Sequence, residues 1–284
     1  MRKNFPFFRK KGNALQEKEL RVQFSAATDV GRVRETNQDN LYVMQPVLAH
    51  DDLLHYMAHG EEKLPALFAV CDGMGGGQNG ELAAWEAVQM IGQTQVEELP
   101  EKSDDEIEKF FCELCRRISD TVFRMYGNRG VLVGATATLL YLDDRRIFLI
   151  NVGDSPGIRF AGSGLEVMTQ PDNRANQMYL MGQISEEERW THATKNQLTQ
   201  YIGMNPQEVC ISPHVCRMDY PKEPTTYLIC SDGLLDRNSF ENLEHLFRKT
   251  GIEQFSDVCV KQAMACGSRD NITAIAVQAG AKET

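Results

Sequence analysis

No Gly-Lys pair occurs anywhere in the 284 residues, which excludes a Walker-type loop, whose lysine must reach the terminal phosphates of a nucleotide. Positive charge is scarce. Thirty Lys and Arg against 40 Asp and Glu leave a formal net charge of −10, which argues against nonspecific nucleic-acid binding, where basic side chains neutralise phosphates. No apolar run is long enough to span a bilayer, so stable membrane insertion is not expected. An apolar secretory h-region is missing and the eight cysteines lack framework spacing, so the expected compartment is the reducing cytoplasm. Two isolated metal-type patterns are incomplete. Cys112 and Cys115 have C-x-x-C spacing without a second pair, and read as small helix hydrophobes. His55 and His59 stand four apart, but Tyr56 occupies the position where a zinc protease needs its glutamate base, and the stretch reads as a polar insertion.

What is present is material for one substantial core, with 42% apolar residues. A basic and aromatic tail over residues 1–20, "MRKNFPFFRKKGN" at its start, is expected to be flexible, and 21–280 to form one domain. Strand-like runs occur at Val22–Ala27, Leu41–Val43, Ala66–Cys71, Thr136–Leu142, Ile147–Val152, Ile158–Phe160, Leu165–Met168, His214–Met218, Thr226–Cys230 and Ile272–Gln278. The short links "DDRR" (143–146) and "AGSG" (161–164) make two of the connections hairpins, hence antiparallel. Helices are expected over Glu81–Val96, from Ser103 with a Glu106 capping box to Gly127, from Asn238 with Glu241 to Gly251, and from about Ser256 to Cys266. The sum is an α+β fold, two antiparallel sheets with helices outside, and a polar, irregular excursion at about 171–203.

The stretch "FAVCDGMGGGQNGELAA" (68–84) poses the functional question, because an apolar strand ends on Asp72, crosses a glycine cluster and enters a helix. Gly75, Gly77 and Gly80 satisfy G-x-G-x-x-G, so a dinucleotide-dependent oxidoreductase is one rival, although that fold needs helical crossovers between parallel strands. The other reading is a metal site. Asp39, Asp72, Asp154, Asp232 and Asp270 all fall at strand ends, and carboxylates crowded together call for cations. An all-oxygen set selects Mg²⁺ or Mn²⁺ over Zn²⁺. Two such ions suit phosphate hydrolysis, and Arg34, five residues before Asp39, offers a planar fork for phosphate oxygens.

The motifs "VRETNQD", "VCDGMGGG", "GATAT", "NVGDS", "ICSDGLLD" and "SRDNIT", in this order, resemble the metal-dependent PP2C-type protein serine/threonine phosphatases of the bacterial kind, from about Val22 to Gln278. The resemblance implies a four-layer αββα sandwich and hydrolysis of phosphoserine and phosphothreonine in proteins, with a cognate kinase acting on the same substrates. It implies that Asp72 bridges two Mn²⁺ or Mg²⁺ ions, that Gly73 gives its carbonyl, and that Asp232 and Asp270 complete the first site. Asp39 would act through water, Arg34 would hold the phosphate, and Asp154 with Asp236 would take a weaker third ion. Gln38, Met74, Pro156 and Asp172–Asn173 depart from the common pattern, which has glutamate, histidine (in animal members), arginine and Asp-His there. The polar excursion at about 171–203, which ends in "NQLTQYIG" (Asn196–Gly203), resembles the flap beside the active site. A pseudophosphatase, binding partners through the same fold, is the non-enzyme alternative; its mark would be loss of the aspartates, which are all present.

Overall fold

The structure, a computed structural model, describes residues 20–44, 46–48, 50–75, 80–127 and 132–280. The expected flexible tail therefore lies, apart from Leu20, outside the described residues. Twelve strands form two sheets among these residues. One holds β3 (His55–Lys63), β1 (Arg21–Asp29), β12 (Ile272–Ala279), β11 (Thr225–Cys230), β8 (Gly157–Ala161) and β9 (Gly164–Val167), in that order. The other runs β10 (His214–Asp219), β7 (Arg146–Val152), β6 (Ala137–Leu142), β4 (Ala66–Gly75), β2 (Asp39–Val43), with the short β5 (Val133–Ala135) added to the end of β4. Every described strand pair is antiparallel, which removes the dinucleotide-fold rival.

The unbroken apolar run of β4 follows from burial on both faces. Ala66, Phe68 and Val70 point into the layer between the sheets, where they meet Phe24, Leu41, Leu140, Ile229 and Ile275. Leu67, Ala69 and Cys71 point the other way, under α1 (Gly80–Gly92) and α2 (Asp104–Tyr126). On the far side, α5 (Phe240–Phe247) and α6 (Ile252–Ala265) cover the outer face of the first sheet through Leu243, Phe255, Cys259 and Ala263. The result is four layers, helix–sheet–sheet–helix.

Local chemistry explains the boundaries. The Ser103 hydroxyl accepts the Glu106 N–H, Glu106 accepts the Ser103 N–H at 2.8 Å, and Ile107, Phe111, Leu114, Ile118 and Val122 bury one face of α2. In the "DDRR" hairpin, Asp143 accepts the backbone N–H groups of Arg145 and Arg146, each at 2.9 Å, and pairs with the Arg146 guanidinium at 3.0 Å. Arg146 also reaches Asp104 at the start of α2, which fastens the hairpin to the helix layer.

Five expectations shift. His55–Lys63 is the edge strand β3, paired with β1, and not an insertion. Residues on its inner side include Gly60 and Glu62, so its period-two pattern carries little apolar signal. α1 stops at Gly92, short of Val96. The cap of α5 is Ser239, one residue later than expected, and α6 begins at Ile252 behind Gly251, which offers no side-chain cap. The excursion at 171–203 contains α3 (Arg174–Leu180), capped by Asn173, and α4 (Glu186–Thr191), opened by a Ser185–Glu188 capping box.

Candidate metal centre

Strand register brings the carboxylates together from both sheets. Asp39 opens β2 and stands opposite Asp72 near the end of β4. Asp154 follows β7, while Asp232 follows β11 and Asp270 precedes β12, neighbours in the other sheet. A direct link joins the two sheets at this end: the buried Asp39 carboxylate accepts the hydroxyls of Ser231 at 2.7 Å and Thr273 at 2.6 Å. Thr273 also meets Thr28 at 2.6 Å, and Asn37 donates to Thr28 at 2.8 Å.

Within the second sheet, the "GATAT" motif ties Asp72 to the turn that carries Asp154. Thr136 Oγ1 accepts the Asp72 N–H at 3.0 Å and lies 2.6 Å from Ser155 Oγ, while Thr138 donates to the Ser155 carbonyl at 2.8 Å. Gly153 turns the chain with φ of +100° and donates its N–H to Asp172 at 2.9 Å. Asp172 in turn accepts from Gln200 and His214, each at 2.8 Å, which raises the His214 pKa. Asn173, at the unusual position, caps α3 and hydrogen-bonds Asp154. Gly73 lies so close to the carbonyls of Gly80 and Gln38 that no side chain fits, and its N–H donates to Gln38 at 3.1 Å. Asn271 carries the loop of Arg34: it accepts the Gln38 N–H and donates to the carbonyls of Val30 and Thr36, all at 2.9 Å.

Burial first, then the neighbouring carboxylates, push the acids up. Asp39 rises to about 7, its two hydroxyl donors holding it down against burial and the charges of Asp270 and Asp232. Asp72 rises well above the carboxylate range through burial and the charges of Asp39, Asp232, Asp270 and Asp154. Asp154 rises to about 8 through burial and Asp232, and Asp232 to about 6 through burial and Asp270. Lys195 lowers both of the latter. This is a cluster with more negative charge than its surroundings balance, and a hard divalent cation with oxygen ligands is the chemistry that fits it. Among the described residues, no three acidic, thiol or imidazole groups are already drawn to metal-ligand distances.

Arg34 Nη2 is 2.9 Å from Asp270 Oδ2, so the fork stands at the edge of the cluster. Asp236 accepts the Arg269 N–H at 3.2 Å and lines, with Asp154 and Asp232, a cleft of about 590 Å³ beneath α4. Cys71 and Cys230, beside two of the aspartates, are fully buried, and burial pushes both thiols well up, as for core filler.

A family model for protein phosphatase 2C matches residues 48–268. The chain belongs to the protein phosphatase 2C family of metal-dependent phosphoprotein phosphatases. Among its phosphatase 2C relatives, the serine/threonine phosphatase stp of Listeria innocua is 26% identical over 254 residues, 88% of this chain and 93% of that protein. Protein phosphatase PhpP of Streptococcus pneumoniae is 25% identical over 259 residues, covering 89% and 95%. The fold matches Staphylococcus aureus Stp1 with a TM-score of 0.73 at 23% identity, over 94% of this chain and 96% of that one. It also matches the catalytic domain of PstP, solved with two manganese ions, with a TM-score of 0.71 at 22% identity, over 91% and 99%.

The neutral side chains Thr28, Thr136, Ser155, Ser231, Thr273 and Asn271 are the part of the site that sequence reasoning did not assign. A Ser or Thr beside the aspartate at several strand ends was the available signal.

Proposed function

We propose that this phosphatase 2C protein hydrolyses phosphoserine and phosphothreonine in proteins, in the cytoplasm, on substrates of a cognate serine/threonine kinase. The observation that carries the reading is the meeting of Asp39, Asp72, Asp154, Asp232 and Asp270 at one end of the two sheets, with burial and neighbouring carboxylates raising the pKa values of Asp39, Asp72, Asp154 and Asp232. Asp72, Asp232 and Asp270, with the Gly73 carbonyl, would hold two Mn²⁺ or Mg²⁺ ions, and Asp39 would support them through water. Bound there, the ions supply acidity to a water for in-line attack on phosphorus and offset the phosphate charge. Arg34 binds phosphate oxygens with its planar fork and orients the ester. Two hydroxyl donors fix Asp39 Oδ2, which holds this carboxyl group in one orientation. Asp154 and Asp236 would hold a weaker third ion on the substrate side. The domain doing this work is the single body of 21–280.

Manganese-dependent release of phosphate from a phosphothreonine peptide tests the reading. Asp72→Asn and Asp232→Asn should each abolish it and weaken Mn²⁺ binding in calorimetry, while the fold stays intact by circular dichroism. Full activity in either variant overturns the assignment.

A further inference from the structure

The cleft beneath α4 contains more than carboxylates. Trp190, Phe240, Leu235, Pro156 and Pro171 line it beside Asp154, Asp232 and Asp236. Its roof is held in place. Trp190 and Phe240 meet edge to face with ring centroids 5.2 Å apart, which joins the flap to the segment that follows Asp232. The Arg189 guanidinium lies 4.6 Å from the Tyr179 ring and 4.8 Å from the Trp190 ring. It also donates to Asn176 at 3.1 Å and to Glu186 at 3.2 Å, so α4 is locked onto α3 and presents Trp190 at a fixed height. The volume, about 590 Å³, lies within the range of roughly 300–1,000 Å³ typical of sites that enclose an organic group.

Pro156 adds an apolar wall next to Asp154, where the resemblance leads one to expect arginine. The cations that remain, Lys195 and Arg237, line the cleft together with the aspartates. An apolar, aromatic-roofed space continuous with the proposed centre, where the phosphatase reading puts the phosphate, suits a substrate that is anionic at one point and apolar beside it.

We propose that the cleft between α4 and residues 235–240 is a specificity pocket that selects phosphopeptides carrying an aromatic or large aliphatic side chain next to the phosphorylated residue. Trp190 and Phe240 are its contact faces, and Arg189 is a positioning residue that acts through Trp190. This rests on the phosphatase reading above, which fixes where the phosphate sits.

Two peptides test it, identical except for Phe or Gly beside a non-hydrolysable phosphonate analogue of phosphothreonine. The protein contains two tryptophans, so Trp85→Phe in the full chain leaves Trp190 as the sole reporter. With Mn²⁺ present, the Phe peptide should bind about tenfold tighter than the Gly peptide and shift Trp190 emission, since filling an apolar pocket discriminates by roughly 10- to 200-fold. Phe240→Ala should bring the two affinities within about twofold. Equal affinities in the protein with Phe240 intact overturn the proposal. So does a gain in peptide affinity on Phe7→Ala, Phe8→Ala substitution, which would make the chain's own Phe-rich N-terminal run the occupant. Turnover of the corresponding phosphothreonine peptides separates the two ideas. Equal hydrolysis of both sinks the pocket and leaves the phosphatase standing, and selective binding with no hydrolysis does the reverse.

Discussion

Asp39 gives the most direct test of the crowded-carboxylate argument. It is 2% exposed, accepts two hydroxyls, and has its pKa pushed from an ordinary 3.8 up to about 7. Below the ordinary value the carboxyl is protonated in both folded and unfolded chains. Above it the unfolded chain ionises while the folded one keeps its proton, so the stability contributed by this group falls as pH rises through the folded value. Between pH 5.5 and pH 8 the linkage relation gives a loss of about 2 kcal/mol from Asp39 alone. For a chain of this size that lowers the melting temperature of metal-free protein by roughly 3–4 °C. Asp154 and Asp232 push in the same direction. Mn²⁺ binds the ionised form and reverses the loss, so its stabilising shift should be larger at pH 8 than at pH 5.5. The assay is differential scanning fluorimetry with and without Mn²⁺, with the difference between wild type and Asp39→Asn isolating this group. A metal-free wild type whose melting temperature, relative to that variant, does not fall over the interval refutes the reasoning. A Mn²⁺ shift of equal size at both pH values refutes it as well.

Arg34→Ala should raise KM for phosphopeptides with a smaller effect on kcat, and Arg34→Lys should not restore it, because an ammonium cannot reproduce the fork; steady-state kinetics with phosphothreonine peptides reads both. Asp154→Asn should keep tight Mn²⁺ binding by calorimetry and an intact fold by circular dichroism but lose turnover; full turnover across a metal titration would return Asp154 to a loop carboxylate. Arg146→Ala strands the fully buried Asp143 and should cost about 3–5 kcal/mol in urea denaturation, far from the centre and without changing its Mn²⁺ affinity once folded.

The sheet core was legible because strands covered on both faces are apolar without interruption, as β4, β6 and β7 are. The edge strand β3 was not, since Gly60 and Glu62 stand among its inward residues and leave a pattern that polar loops share. The start of α6 escaped for a similar reason: Gly251 caps it through backbone conformation alone. At the centre, acidic strand ends were visible as a pattern, and the resemblance supplied roles for them. Their mutual placement was not, because Asp39 faces Asp72 only through the pairing of β2 with β4. The supporting hydroxyls were hidden altogether. A lone Thr136 or Thr273 looks like any strand threonine until the chain brings Asp72, Ser155 or Asp39 within hydrogen-bonding distance.

The split of the carboxylates between two sheets has a mechanical consequence. Within a sheet, the β2–β4 ladder fixes the spacing of Asp39 from Asp72, and the β11–β12 ladder brings the segments that carry Asp232 and Asp270 side by side just beyond its end. Between the sheets the separation is set by the thickness of a hydrocarbon layer in which Phe24 and Phe68 lie 5.6 Å apart, centroid to centroid. The Asp39–Ser231–Thr273 contact is a short strut across that gap. The centre thus works as a caliper whose opening is the volume of the apolar filling. Residues of that filling far from any charged group therefore bear on the distance between the two acidic halves, and of the outer helices α1 reaches the centre, through Gly80 packed against Gly73.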